Sequence, residues 1–152
     1  DQEAANDVIG FIDDAVEKGA KVVAGGGLSP LGGSFVEPTI LTDVTTDMRV
    51  FREEIFGPVA PIFKFGTEEE AIAMANDTEF GLASYFYARD IGRIWRVSEG
   101  LEYGIVGVNE GVISNEMAPF GGMKESGNGR EGSKYGLDEY VEVKYLCLGG
   151  IE

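Results

Sequence analysis

The sequence has 152 residues, 43% of them hydrophobic and 11% aromatic, which is typical of one globular domain. Its 12 basic and 27 acidic side chains give a net charge of −15, which disfavours nucleic acid as a partner. Because the chain has no histidine, histidine metal sites and histidine-based catalytic pairs are excluded within it, and we expect no metal site.

The remaining bulk features predict a cytoplasmic protein without a membrane partner. A single cysteine, Cys147, rules out an internal disulfide and fits a reducing compartment. No apolar run approaches the ~20 residues of a membrane span, and no secretion signal is recognised. The first residues enter a helical pattern without an initiator methionine, so we expect a piece of a longer protein.

The first predicted elements are a helix and two strands. Apolar residues recur with the spacing of one helix face, and Gly19 can end that helix. Segments 21–27 and 35–41 then predict extended chain on either side of a Gly-rich turn. The predicted helix face consists of Ala5, Val8, Ile9, Ile12 and Val16.

Helices and strands continue to alternate through the middle of the chain. Thr67 and Glu70 form a capping-box pattern that predicts a second helix. An aromatic strand is predicted at 82–88, and Asp90 can cap a third helix. The apolar segment 104–109 is typical of a strand buried in a parallel sheet. This βαβ spacing indicates an α/β fold.

The last residues predict a strand used for assembly. Apolar and polar side chains alternate between Tyr140 and Leu148, and an exposed terminal strand of this kind can pair with another sheet. Cys147 lies on a predicted apolar strand face without an evident base, so we predict that it packs as a small hydrophobe and is not a nucleophile. We divide the chain into a domain at 1–138 and an oligomerisation strand at 139–152.

A glycine motif at 127–132, "GNGREG", matches the dinucleotide-binding fingerprint letter for letter. That fingerprint requires a preceding strand and a following βαβ unit. Here "FGGMKES" precedes it, and only one helix and one strand are predicted to follow. We interpret the glycines as a bend before the final helix.

Four segments together carry a resemblance to a known family. They are "EEIFGPV" at 53–59, "VNEG" at 108–111, "PFGGMKESGNGREG" at 119–132 and "YGLDEYVEVKYL" at 135–146. In order and spacing they resemble the C-terminal portion of an aldehyde dehydrogenase, and the ending is most similar to the succinate-semialdehyde dehydrogenase branch. The resemblance implies part of a catalytic domain, with a parallel-type sheet and flanking helices, plus a terminal strand that builds a homo-oligomer.

The resemblance implies a cofactor-binding role for Glu54 and Phe56. Glu54 matches the glutamate that accepts hydrogen bonds from the nicotinamide ribose hydroxyls, and such bonds to a carboxylate are charge-assisted. Phe56 matches the ring beside the nicotinamide of NAD or NADP. Without the resemblance, a solvated acid and a core phenylalanine would be the simpler interpretation. Glu53 is interpreted as a surface charge.

Substrate-binding roles are implied for Ser114 and Phe120. Ser114 matches a serine that binds the distal carboxylate of a semialdehyde, a bond that a hydroxyl can donate. An ordinary loop hydroxyl is an equally good interpretation. Phe120 matches an aromatic wall of the substrate tunnel, with core packing as the alternative. Asn109 and Glu110 are assigned no chemistry.

None of the family's catalytic residues is expected in these 152 residues. The resemblance implies that a cysteine thiolate attacks the aldehyde, that hydride passes to the cofactor, and that glutamate-activated water releases the acid. The nucleophile, the general base and the dinucleotide-binding domain are expected upstream, so the chain alone is predicted to be inactive. Two alternatives stay open: a related semialdehyde or aldehyde branch, and a non-catalytic binding or assembly module.

Overall fold

A computed structural model of the chain describes residues 1–150, which form one compact unit up to Gly66 and a second from Thr67 onward. Short 3₁₀ helices lie at Lys124–Ser126 and Tyr135–Tyr140. The other elements are, in order, α1 Gln2–Glu17, β1 Lys21–Ala24, β2 Thr39–Thr42, α2 Arg49–Arg52, β3 Val59–Pro61, α3 Glu68–Asn76, β4 Ala83–Phe86, α4 Ile91–Gly100 and β5 Ile105–Val108.

Helix α1 supplies one side of the core of the first unit. Asp1 caps it by accepting a hydrogen bond from Ala4 N at 2.9 Å. The predicted helix is confirmed, but its buried face is centred differently, since Val16 is 45% exposed. Residues 8, 11, 12 and 15 form a complete i, i+3, i+4, i+7 set, which leaves Val16 at the edge of the apolar stripe. The buried residues of α1 are Ala5, Val8, Phe11, Ile12 and Ala15.

The sheet of the first unit has the order β1-β2-β3. Strand β2 pairs parallel with β3, in the register Thr39 to Val59, and antiparallel with β1. The expected parallel pairing is therefore present, with one antiparallel strand at its edge. Residues outside α1 that complete the core are Ala20, Leu41, Val44, Met48 and Val50.

The second unit contains the predicted βαβ arrangement. Strands β4 and β5 pair in parallel, and α4 connects them. Thr67 caps α3 by accepting from Glu70 N at 3.2 Å, and Asp90 caps α4 by accepting from Arg93 N at 2.7 Å. Both capping predictions are confirmed. Helix, strand and crossover thus follow from local sequence signals.

The predicted burial of the strand at 104–109 is wrong. Gly107 is its one buried residue, and the other residues of β5 are partly exposed. A parallel strand is fully buried only where layers cover both of its faces, and the partial exposure of β5 shows that the described residues do not cover it completely. The buried residues of this unit, as far as it is described, are Gly81, Gly107 and Gly122.

The last described residues have no regular structure. Residues 141–150 are exposed and pair with no strand within residues 1–150, although Val141 has the extended dihedrals φ −131° and ψ 152°. The assembly strand at 139–152 therefore stays a prediction, and residues 151–152 lie outside the described part. Cys147 is exposed, so its expected packing on a strand face is wrong for this chain. The helices found between residues 1 and 150 are too short or too polar to cross a membrane.

Candidate functional site

The first candidate region is the Glu54 turn, defined as residues 53–58, which follows the one-turn helix α2. Asp14 fixes the start of α2, because its Oδ2 accepts from Arg49 N at 2.9 Å. Val50 anchors this helix in the core, and Glu53 ends it with extended dihedrals of φ −102° and ψ 148°. The turn therefore begins at a fixed point on the surface of the first unit.

Burial alternates along the Glu54 turn. Ile55 packs against the core, whereas Glu54 and Phe56 on either side of it are exposed, Phe56 by 84%. Such alternation is what extended chain with one buried face produces. Among residues 1–150, no side chain or backbone group hydrogen-bonds to the Glu54 carboxylate. The predicted cofactor pair is thus an open carboxylate and an uncovered ring two residues apart.

The neighbouring acid, Glu53, is engaged differently. Its two carboxylate oxygens accept from Arg49 Nε and Nη2, each at 2.9 Å. The Arg49 hydrogen bonds hold the pKa of the Glu53 carboxyl below its ordinary value. The interpretation of Glu53 as a surface charge agrees with this exposed ion pair, and the contrast singles out Glu54 as the acid with free acceptor oxygens.

Close packing fixes the far end of the Glu54 turn. A Cβ added to Gly57 would lie 2.3 Å from Val8 Cγ2 of α1, so only glycine fits. The next residue, Pro58, accepts a hydrogen bond from Thr39 N at 2.8 Å. Helix α1 and strand β2 therefore hold the turn, and Gly57 is required for close approach and not for an unusual dihedral angle.

The second candidate region is the Ser114 cavity, an open cavity of about 550 Å³ in the second unit. It brings together the predicted substrate residues Ser114 and Phe120, and Phe120 is 36% exposed. Two acids that the sequence analysis did not select, Glu116 and Glu131, line it as well. The complete lining is Ser114, Asn115, Glu116, Ala118, Phe120, Glu131 and Gly132.

The loop that carries Ser114 starts at the carboxyl end of β5, where α/β sheets commonly bind ligands. Asn109 lies there with a φ of 56°, and its side chain bonds Ala88 N at 2.9 Å and Ala88 O at 2.7 Å. Glu110 Oε1 accepts from Gly111 N at 2.9 Å and from Val112 N at 3.2 Å. Asn109 and Glu110, which the sequence left without a role, therefore shape this loop.

Two further lining residues of the cavity, Phe120 and Glu131, are joined by a pair of backbone hydrogen bonds. Phe120 N donates to Glu131 O at 2.9 Å, and Glu131 N donates to Phe120 O at 2.7 Å. Between them lies the glycine motif, preceded by a 3₁₀ helix and not by a strand, with positive φ at Gly127, Gly129 and Gly132. The interpretation of this motif as a bend is confirmed, although the helix that follows is 3₁₀.

The charged side chains that line the cavity are all acidic. Glu116 and Glu131 are its charged lining residues, and no lysine or arginine lines it among the described residues. An anionic group bound next to Ser114 therefore needs a cation from another part of the protein. Glu131 could not be selected from local sequence patterns, because its place beside Phe120 depends on how the glycines between them bend.

The predicted site residues form two pairs. Glu54 and Phe56 share one turn of the first unit, and Ser114 and Phe120 share one cavity of the second. Within residues 1–150 there is no cluster of three or more acidic, cysteine or histidine side chains that could hold a metal ion.

Several known proteins are similar to this chain over nearly its whole length. Glutarate-semialdehyde dehydrogenase of Pseudomonas aeruginosa is 64% identical over 99% of it, and 3-sulfolactaldehyde dehydrogenase of Pseudomonas putida is 62% identical over all of it. NADP(+) succinate-semialdehyde dehydrogenase of Escherichia coli is 60% identical over 98% of it. The chain spans 31% of the length of each of these relatives.

A solved structure and a family match agree with these relatives. The crystal structure of an E. coli NADP-dependent enzyme superposes with a TM-score of 0.95 at 60% identity, over 98% of this chain and 31% of that one. The aldehyde dehydrogenase family model matches residues 1–146. This chain therefore belongs to the aldehyde dehydrogenase family.

Proposed function

We propose that the chain is the C-terminal part of an NAD- or NADP-dependent dehydrogenase that oxidises succinate semialdehyde to a carboxylic acid. The observation that carries this proposal is the 60–64% identity, over nearly the whole chain, to dehydrogenases named for semialdehydes and 3-sulfolactaldehyde. Glutarate semialdehyde is the alternative substrate, since the relative named for it is at least as similar. The activity belongs to the longer protein, because the chain covers 31% of these relatives.

In this proposal the Glu54 turn binds the nicotinamide end of the cofactor. The fit is chemical: an exposed carboxylate without a described partner can accept two ribose hydroxyl bonds, and the exposed Phe56 ring offers a flat apolar contact. When bound, the cofactor supplies the hydride acceptor. Glu54 holds the sugar and Phe56 limits how the attached ring can turn.

The Ser114 cavity then receives the acid end of the aldehyde. The Ser114 hydroxyl donates to the distal carboxylate, and Phe120 packs against the carbon chain. Since Glu116 and Glu131 are also present, the carboxylate is held only if arginine or lysine from elsewhere in the protein offsets them. Ser114 thus orients the carboxylate through a hydrogen bond, and the arginine or lysine from elsewhere in the protein supplies the opposite charge.

Replacing Ser114 with alanine in the full-length enzyme tests this role. We expect kcat/KM for succinate semialdehyde to fall about 10-fold, because a hydrogen bond to a charged group is lost. For butanal, which has no distal carboxylate, kcat/KM should change less than about twofold. Steady-state kinetics with both aldehydes measure the difference.

Ser34→Ala is the matched control, because Ser34 is also exposed but lies outside the cavity. It should leave kcat/KM for both aldehydes unchanged. An equal loss for both aldehydes in Ser114→Ala, or no loss for either, would remove Ser114 from the proposed role. Equal efficiency of the wild type on both aldehydes would contradict a substrate with a distal acid.

Assembly through residues 139–152 is the second proposed function, favoured by the exposed, unpaired segment 141–150. We expect the full-length protein to be a homo-oligomer whose mass by light scattering drops when these residues are deleted. An unchanged mass would contradict this.

The chain by itself should oxidise no aldehyde with NAD or NADP, and measurable turnover would show that it is catalytically complete.

A further inference from the structure

The wall of the Ser114 cavity belongs to a closed loop, here called the glycine loop and defined as residues 120–131. Its two ends, Phe120 and Glu131, are joined by their pair of backbone hydrogen bonds, and both line the cavity. Whatever fixes the middle of this loop therefore also fixes the place of Phe120. The side chain of Lys124 in its 3₁₀ helix is in a position to do so.

Lys124 reaches from the loop to two other segments of the second unit. Its Nζ donates to Asn76 O at 2.9 Å and to Thr78 O at 3.1 Å. The same ammonium lies 2.7 Å from Glu102 Oε2, and the Lys124 side chain is only 24% exposed. An ammonium has three donors, and these three acceptors use all of them.

Asn76 O already accepts a hydrogen bond from Thr78 N at 2.8 Å, and the Lys124 ammonium adds a charged donor to the same oxygen. Helix α3 ends at Asn76, and the last carbonyls of a helix have no partners within it. A cation at this end also offsets the partial negative charge of the helix dipole. Asn76 in turn binds Gly100 O at 2.7 Å and Glu102 N at 2.9 Å through its side chain. Lys124 thus completes a junction between the ends of α3 and α4 and the glycine loop.

The backbone at Lys124 is consistent with a fixed position. Its φ is 55°, a left-handed conformation that lysine rarely adopts and that persists only where neighbours hold it. Met123 N donates to Gly81 O at 3.0 Å, and Glu125 N donates to Glu79 O at 2.9 Å. Both flanking residues are therefore bound to the segment before β4, and the side chain adds the tie to α3.

We propose that Lys124 is a positioning residue for the aldehyde site. It does not touch the substrate; through its junction with Asn76, Thr78 and Glu102 it holds the glycine loop so that Phe120 lines the same cavity as Ser114. This inference rests on the proposed function, because it assigns the Ser114 cavity to the aldehyde. Lys124 lies within the segment 119–132 that carries the resemblance, but the resemblance implied no role for it and it does not line the cavity.

Lys124→Met in the full-length enzyme removes the charge and the donors but keeps a long side chain. With succinate semialdehyde and NADP⁺ as probes, the aldehyde KM should rise about 10-fold, since small displacements of binding groups are costly. The Kd of NADP⁺, measured by fluorescence titration, should stay within about twofold, because none of the three contacts of Lys124 involves a residue of the Glu54 turn. Lys124→Arg retains a cation and donors, and should keep most of the aldehyde affinity.

A purely structural role would give a different pattern. Lys124→Met would then lower the melting temperature and the active fraction while the aldehyde KM stayed at the wild-type value, which would overturn the proposal. An equal rise of KM in Lys124→Arg would also overturn it. Lys64→Met is the matched control, because Lys64 is exposed and its ion pair with Asp43 lies in the first unit. It should change neither constant.

Glu102→Gln provides a second test if Lys124→Met does not fold. It weakens the junction at one of three contacts, so the aldehyde KM should rise about threefold with unchanged NADP⁺ affinity. An unchanged KM in that variant contradicts the proposal. A wild-type enzyme without aldehyde oxidation would overturn the proposed function and this inference together, whereas an active wild type with an unaffected Lys124→Met overturns this inference alone.

Discussion

Replacing Glu54 with glutamine in the full-length enzyme is expected to slow hydride transfer by about 10- to 100-fold, with little change in the aldehyde KM. A charge-assisted bond to a hydroxyl contributes about 1.5–3 kcal/mol, and the neutral amide weakens both ribose contacts. The sugar would then be held less firmly and the nicotinamide would face the aldehyde carbon less often. Stopped-flow absorbance of the first turnover measures the hydride step directly.

Glu53→Gln is the matched control, because it makes the same chemical change one residue earlier. Glu53 is already paired with Arg49, and losing a surface ion pair costs only about 0–1 kcal/mol of stability. The hydride step should therefore stay near the wild-type rate. An unchanged first turnover in Glu54→Gln, or an equal loss in both variants, would show that Glu54 does not hold the cofactor.

Replacing Gly104 with alanine is expected to lower the free energy of unfolding of the second unit by about 3 kcal/mol. The added Cβ would lie 1.9 Å from Gly121 O and 2.9 Å from Gly122 Cα, which are backbone atoms. Neither can turn away as a side chain can, so the backbone just before β5 and the glycine loop would have to separate. Urea unfolding followed by the fluorescence of Trp95, the single tryptophan, measures the loss.

Gly27→Ala is the matched control for this change. Apart from its two chain neighbours, no residue between 1 and 150 has a heavy atom within 4 Å of a Cβ added at Gly27, so the same substitution should cost less than about 0.5 kcal/mol. If Gly104→Ala unfolds at the wild-type urea concentration, the close approach of the backbone just before β5 and the glycine loop does not contribute to stability.

Local signals were sufficient for most of the secondary structure. Thr67 and Asp90 cap helices where their hydroxyl and carboxylate predict caps, since capping depends on residues three positions away. The exposure of β5 could not be predicted in the same way. Its apolar sequence indicates a strand that is suited to burial. How much of it is buried depends on which other helices and strands cover the two faces of its sheet.

The candidate site was predictable from motifs only in part. The resemblance selected Ser114 and Phe120, which do share a cavity, and Glu54 and Phe56, which share a turn. Glu131 and Lys124 lie within the segment 119–132 that carries the resemblance, but it implied no role for either, because both reach their places through the folding of the glycine loop. No periodicity or spacing encodes the contact of Lys124 with Asn76, which is 48 residues away in sequence.

The most direct test of the central claim is a crystal structure of the full-length enzyme with bound NADP⁺. We predict that the Glu54 carboxylate accepts hydrogen bonds from the hydroxyls of the nicotinamide ribose, with O···O distances of about 2.5–3.0 Å. Phe56 should lie against the nicotinamide. A cofactor bound with its ribose beyond hydrogen-bonding reach of Glu54 would contradict the account.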